Sequence, residues 1–533
     1  MPDYTRFEFL KRELSENRLS RRGFLQQASA LGLMAAVPAG LIGSQAQAAT
    51  PNKGGNFRIG VGGGSTTDSL DPATYANAFS QTLGSTIHSS LTEVGTDSTL
   101  QSAVAESWEA SSDATAWTFK IRSGVTAHNG KTIDANDVIA SLNHHRGEST
   151  SSAKPFLDPV TNISAPDANT VVIELNGGNA DFPFILSDFR LVIMPSDGGS
   201  VEVAARDGIG VGPYKLESFD PGVRARTSRN DNFYGDGQNF DSVEFITIAD
   251  STARTNALVS GDVDYIDRVD LNTVHLLKRQ SGITVQEVKG MQHYTLPMNI
   301  TTNPFTDNNI RLALKHGIDR EAVVKTVLRG YGSVGNDHPI SSANRFFNSE
   351  LAQRTYDPDK AKHYLKQADL DSLTVGIHPS DAAFAGAVDT AVLYKEHAAP
   401  AGITLDVVRE PADGYWSNVW MKKPWSFSYW NGSPIEDRTL TTAYEGGAAW
   451  NESFMDFPDF NELLVAARSE LDTAKRKDMY WQLQAILNER GGSVIPMFAS
   501  YVSAHSNKVA HADQVAKHAD MDGYKIANRW WFT

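Results

Sequence analysis

Two hydrophobic periods alternate along this chain. Apolar residues recur at every second position in Asn56–Val61, in Trp117, Phe119 and Ile121, in the TVVIEL run 170–175 and in FITIAD 245–250. That period belongs to strands with one buried face. Elsewhere the period lengthens to that of a helix. Ile310, Ala313 and Leu314 share a face, as do Val323, Val324, Val327 and Leu328. The same holds for Ala361, Tyr364, Leu365 and Ala368, and for Met479, Leu483, Ile486 and Leu487. Punctuation agrees with these helices. Thr306 or Asp307, Asp319, and Asp357 or Asp359 stand where N-caps are needed, and Gly317 and Gly330 supply stops. Pro221-Gly222 and Asn129-Gly130 predict tight turns between strands. Residues 241–270 read strand, helix, short strand (DVDYID), and residues 373–408 read strand, loop, helix, strand. Such alternation predicts an α/β fold. VIPMFASYV, after the last helix, reads as a buried closing strand.

A chain of 533 residues exceeds one ordinary core and implies two or more lobes. It has no cysteine, which removes disulfides, thiolate catalysis and Cys-based zinc sites. Its formal charge is −15, and residues 1–48 are on the basic side, so the acidity belongs to the rest. Without a basic stripe or an aromatic RNA-binding motif, nucleic acid is not an expected partner. Ser20-Arg21-Arg22-Gly23-Phe24-Leu25 is a twin-arginine export pattern, followed by an apolar stretch Ala28–Ile42 and the small-residue site Ala46-Gln47-Ala48. The stretch is short for a membrane anchor. The expectation is export by the twin-arginine translocase, cleavage near Ala48, and a soluble monomer in the periplasm.

Chemistry-bearing motifs are few. The glycines of GGGSTTDSL lack the Gly-Lys-Ser/Thr of a phosphate loop. His128 beside the Asn129-Gly130 turn reads as structural, and His144-His145 reads as exposed, without metalloprotease spacing. There is no G-x-S-x-G or H-E-x-x-H, and the carboxylates are dispersed. No catalytic residue, metal site or cofactor is therefore expected, although a carboxylate pair assembled in space would allow a secreted hydrolase of peptides or related amides. The richest segment is Tyr415–Trp450, which holds Trp416, Trp420, Trp425, Trp430 and Trp450. Trp430 leads into the polar loop NGSPIEDR, an arrangement suited to a ligand platform. The loop His378–Phe384 follows a strand and precedes a helix, where α/β sheets present ligand contacts.

Several phrases occur in a telling order. They are WTFKIRSGVTAHNGKTIDANDV from Trp117, GVGPYKLESF with RNDNFY from Gly210, and NALVSGDVDYI from Asn256. LPMNITTNPFTDNNIRLALKHGIDRE from Leu296 and YDPDKAKHYLKQADL from Tyr356 complete the set. Together they resemble the extracytoplasmic solute-binding proteins of the dipeptide, oligopeptide and nickel ABC importers (family 5), with Val211 where Thr is usual. The likeness runs from about residue 54 to the C-terminus. It implies an α/β, two-lobed periplasmic-binding-protein clamp of type II with an extra subdomain inserted in lobe I. Residues 1–48 would be the signal peptide. Residues 54–88, 212–292 and 501–533 would form lobe I, 89–211 the inserted subdomain, and 293–500 lobe II. The clamp would close on a small-molecule ligand by hinge motion and engage an inner-membrane ABC permease with its separate ATPase.

The resemblance also frames the ligand. Dipeptide-binding members hold the ligand carboxylate with an Arg that falls near Asp381–Ala382 here, and its ammonium with an Asp that falls near Ser433. Neither anchor type is kept, and the first is reversed in sign. The implied ligand is a small amine-bearing solute (a modified peptide, an opine or another amino-acid derivative) rather than a free dipeptide. No His cluster favours nickel. The candidate contacts are Asp381, Phe384, Trp430, Asn431, Ser433, Glu436 and Asp437. Asp381 has a second reading as the cap of the following helix.

Overall fold

A computed structural model describes residues 51–533, so the twin-arginine pattern and the Ala46–Ala48 site lie outside the described residues. Its first strand, β1 (Asn56–Val61), buries Phe57, Ile59 and Val61 completely. Helix α1 (Ala78–Ile87) follows, opened by a capping box between Asn77 and Ser80. Strands β2 (Ala105–Ala110), β3 (Ala116–Ile121), β4 (Val160–Asp167) and β5 (Thr170–Leu175) make an antiparallel sheet in the order β2-β3-β5-β4. Trp117, Phe119 and Ile121 face a core with Val171, Ile173 and Phe182. Helix α2 (Ala135–Asn143) covers that core, and a short helix, α3 (Phe182–Ile185), follows β5. The start of α2 is set by its cap. It begins at Ala135 because Asp134 accepts from the Asn136 and Asp137 N–H groups while Asp137 reaches back to the Asp134 N–H.

Four further strands return to β1. They are β6 (Tyr214–Asp220), β7 (Arg224–Arg229), β8 (Ser242–Thr247) and β9, which the DVDYID reading overestimated and which covers only Tyr265–Ile266. The long strand β10 (Ile283–Pro297) leads into α4 (Asn308–His316) and α5 (Arg320–Val327), capped by Asp307 and Asp319. Then come β11 (Gly332–Val334), α6 (Pro358–Gln367), and the parallel pair β12 (Leu373–Ile377) and β13 (Ile403–Val407), joined through α7 (Ala387–Ala398). The chain ends with β14 (Ser428–Trp430), α8 (Glu436–Ala443), α9 (Pro458–Ser469), α10 (Thr473–Arg490), the long strand β15 (Ser493–Ser506) and a short tail.

Nine of these strands form one mixed sheet in the order β14-β10-β15-β9-β1-β8-β7-β6, with β11 added beside β15. Two separate cores lie along it. Phe57, Phe79, Phe245 and Trp530 belong to one, and Leu296, Leu314, Val323, Trp425 and Phe427 to the other. Only β10 and β15 run the distance between them. Ile283 and Val285 pack with Val502 beside the first half, and Leu296 packs with Val494 and Met497 in the second. Their ladder breaks register between Lys289 and His293. A buried aromatic such as Trp425 removes about 150–250 Å² from water, worth several kcal/mol.

The four-stranded unit is tied to the first half by polar contacts. His144 Nε2 lies 2.8 Å from Asp71 Oδ1, and Glu93 lies between Lys525 and Arg529 at 2.7 and 2.6 Å. His145, read from sequence as exposed, is fully buried with Nδ1 2.7 Å from Ser151 Oγ, and burial lowers its pKa to about 4. His128 is structural: its ring meets the Gly212 carbonyl at 3.1 Å and accepts from the Gly210 N–H.

Candidate functional site

A cavity of about 560 Å³ opens where the two halves and the four-stranded unit meet. Three stretches far apart in sequence build most of its wall. Asn431–Ile435 and the first turn of α8 come from the second half. The loop on either side of α3 supplies Asp181, Phe184, Asp188, Phe189 and Arg190. The tail supplies His518 and Tyr524.

The β14–α8 loop is held tightly. Gly432 has φ +78°, and a Cβ placed there would lie 2.4 Å from the Met291 Cβ. Only glycine fits that close approach to β10. Ser433 accepts from the Ile435 N–H through its hydroxyl, and its carbonyl accepts from the Asn344 side chain at 2.8 Å. Glu436 turns away from the cavity, accepting from the Phe346 N–H at 2.9 Å and from Arg345 at 3.2 Å. Asp437 accepts from Arg468 Nε at 3.1 Å on both oxygens. Burial, outweighing that guanidinium, pushes its carboxyl up to about 6.

Charges cross between the four-stranded unit and the second half at this wall. Asp181, at the start of α3, accepts from Arg345 at 2.8 Å and from Arg476, both in the second half. Asp188 takes Arg190 at 3.0 and 3.2 Å and faces Arg438 of α8 at 3.5 Å. The backbone joins in, with the Ala180 N–H donating to the Arg468 carbonyl at 2.8 Å. Against burial, Lys525 and Arg529 pull Glu93 down to about 2, keeping it ionised. His88 and His518 also line the cavity, and burial drives both down to about 3, so they are neutral at neutral pH. Neither ring nitrogen of His88 has a hydrogen-bond partner. Among the described residues, no group of three or more His, Asp or Glu is arranged to hold a metal ion, and no helix is long and apolar enough to cross a membrane.

Of the residues singled out from sequence, Asn431, Ser433 and Asp437 lie on the cavity wall and Glu436 stands directly behind it. Three others are placed elsewhere. Asp381 Oδ1 accepts from the Gly386 and Val388 N–H groups at 3.2 and 3.5 Å, at the start of α7, with Arg409 3.7 Å away. Phe384 is buried and stacks on Tyr294 with centroids 4.0 Å apart. Trp430 donates its indole N–H to Glu452, which also receives Trp420 and Thr295. That carboxylate fixes the indole N–H of the tryptophan. Sequence reasoning passed over Asp181, Asp188, Arg190 and Arg438. The compact run DFPFILSDFR, with two acids, three aromatics and an arginine after a strand, was the available signal.

The comparisons with known proteins converge. The family model for bacterial extracellular solute-binding proteins, family 5, matches residues 99–452. The dipeptide-binding protein of Escherichia coli (strain K12) is 25% identical over 434 residues, 74% of this chain and 79% of that one. HbpA2 from Haemophilus parasuis superposes with a TM-score of 0.79 at 20% identity, covering 88% of this chain and 99% of that one. The periplasmic binding protein DppA from Helicobacter pylori, in complex with the peptide STSA, gives 0.71 at 22% identity, covering 90% and 98%. These neighbours are two-lobed binding proteins, the architecture described above. The chain belongs to the bacterial extracellular solute-binding proteins of family 5 and is the substrate-binding component of an ABC importer.

Proposed function

We propose that this protein captures a small, amine-bearing amino-acid derivative in the cavity between its halves and delivers it to an inner-membrane permease driven by a separate ATPase. A modified peptide and an opine are the leading candidates. The observation that carries the reading is the cavity itself. Its volume of about 560 Å³ falls in the range of small-ligand sites, and its wall is drawn from both halves. Asn431, Ser433 and Asp437 are the proposed ligand contacts, with Glu436 supporting them through Arg345. The register break between β10 and β15 is the proposed hinge. Residues 54–88, 212–292 and 501–533 are proposed to move as lobe I with the inserted 89–211, against 293–500 as lobe II.

The protein is proposed to reach the periplasm folded, by the twin-arginine route signalled by Arg21-Arg22, to lose its first 48 residues or so, and to work as a monomer. Members of the family are transport binding proteins rather than enzymes, and the wall offers ion pairs in place of a nucleophile–base pair. A thermal-shift screen of amines, opines, peptides and sugars on the mature protein tests the reading. A ligand at about 100 times its dissociation constant adds roughly 2.7 kcal/mol to folding stability. Stabilisation by an amine-bearing derivative, with the compound recovered unchanged, is expected. Turnover of the hit, or tight calorimetric binding of a plain Ala-Ala dipeptide, contradicts it.

A further inference from the structure

The charged groups around the cavity fall into clusters. Glu93 takes Lys525 and Arg529, and Arg529 also holds Asp522 at 3.2 Å. Asp181 takes Arg345 and Arg476, Glu436 also takes Arg345, and Asp437 and Glu445 share Arg468. Asp188 is where cations are in excess, because one carboxylate faces two guanidiniums. Arg190 engages it closely, at 3.0 and 3.2 Å, and also donates to the Tyr75 carbonyl at 3.2 Å. Arg438 reaches it only at 3.5 Å.

Arg438 is otherwise poised rather than engaged. Its guanidinium lies 3.9 Å above the Phe156 ring, which fixes the plane while occupying none of its five N–H donors. The side chain is 39% exposed and lines the cavity. Burial, with Arg190 adding to it, outweighs Asp188 and holds this guanidinium below its usual range.

The geometry points to Arg438 as the receptor for an anionic group, a carboxylate, on the transported solute. This rests on the small-solute reading above and adds to it that the ligand carries a carboxylate as well as an amine. A planar guanidinium held by an aromatic face presents paired N–H donors, and a carboxylate accepts two of them side by side. The incoming charge balances Asp188, Arg190 and Arg438 as closure expels water.

The test uses the N-carboxyalkyl derivatives of arginine, lysine and glutamine together with trialanine. Each is supplied as the free acid and with every carboxyl amidated, alongside amines without an acid group and sugars, and binding is followed by thermal shift and calorimetry. At least one free acid is expected to bind the wild type. Its amide and the Arg438→Gln variant are expected to bind about 10- to 100-fold more weakly, the usual loss for a charge-assisted hydrogen bond. Arg438→Lys, which keeps the charge without the fork, falls between. The comparison of acid with amide on the wild type needs no variant and stands even where a variant folds poorly. Equal binding of acid and amide, an acid bound equally by Arg438→Gln in its folded form, or hits confined to solutes without an anionic group overturn the assignment and leave the small-solute reading in place. No stabilisation by any solute in the panel overturns both.

Discussion

Asp381 accepts from two backbone N–H groups at the start of α7, so its charge is directed at a helix rather than at the cavity. Asparagine caps about as well as aspartate, and the exposed contact with Arg409 at 3.7 Å contributes little. Asp381→Asn is therefore expected to change unfolding free energy by no more than a few tenths of a kcal/mol and to leave solute affinity within about twofold. Thermal unfolding and calorimetry check this, and a tenfold loss of affinity with the fold intact returns Asp381 to the site. The same residue shows what a sequence reveals at this scale. Capping is local, so Asp307, Asp319 and Asp357 are readable as caps and all cap helices. The partners of Asp181 stand 164 and 295 positions away, in Arg345 and Arg476, and no local pattern announces a pair of that kind.

At the scale of elements, periodicity located β1, β3, β5 and the helices α4, α5, α6 and α10 to within a few residues, because each buries one regular face. It did not locate the cavity, which is walled by loops and element ends. Gly432 tests how tightly the β14–α8 loop must be held. In Gly432→Ala a left-handed backbone and a Cβ only 2.4 Å from Met291 both oppose the change, for a loss of roughly 2–4 kcal/mol and weaker solute binding. Gly261, also left-handed at φ +81° but with nothing within 4 Å of an added Cβ, is the control. Gly261→Ala should cost only about 1–2 kcal/mol, the backbone term alone. Equal losses in urea unfolding would show that the contact with Met291 is not a constraint.

Over the whole molecule, two cores joined by β10 and β15 place the cavity at the seam, where Asp181 pairs with Arg345 and Asp188 faces Arg438. The two-lobed organisation was legible because family phrases recur along nearly the whole chain after residue 54. The composition of the seam was not legible, since it depends on how three distant stretches meet. The measurement that reaches the central claim most directly is a crystal structure of the protein with the best solute from the screen. The account predicts the solute enclosed between the halves, touching Asn431 and Ser433 and with its carboxylate on Arg438. A solute bound on the outer surface, or beside Asp381 with this cavity empty, would contradict it.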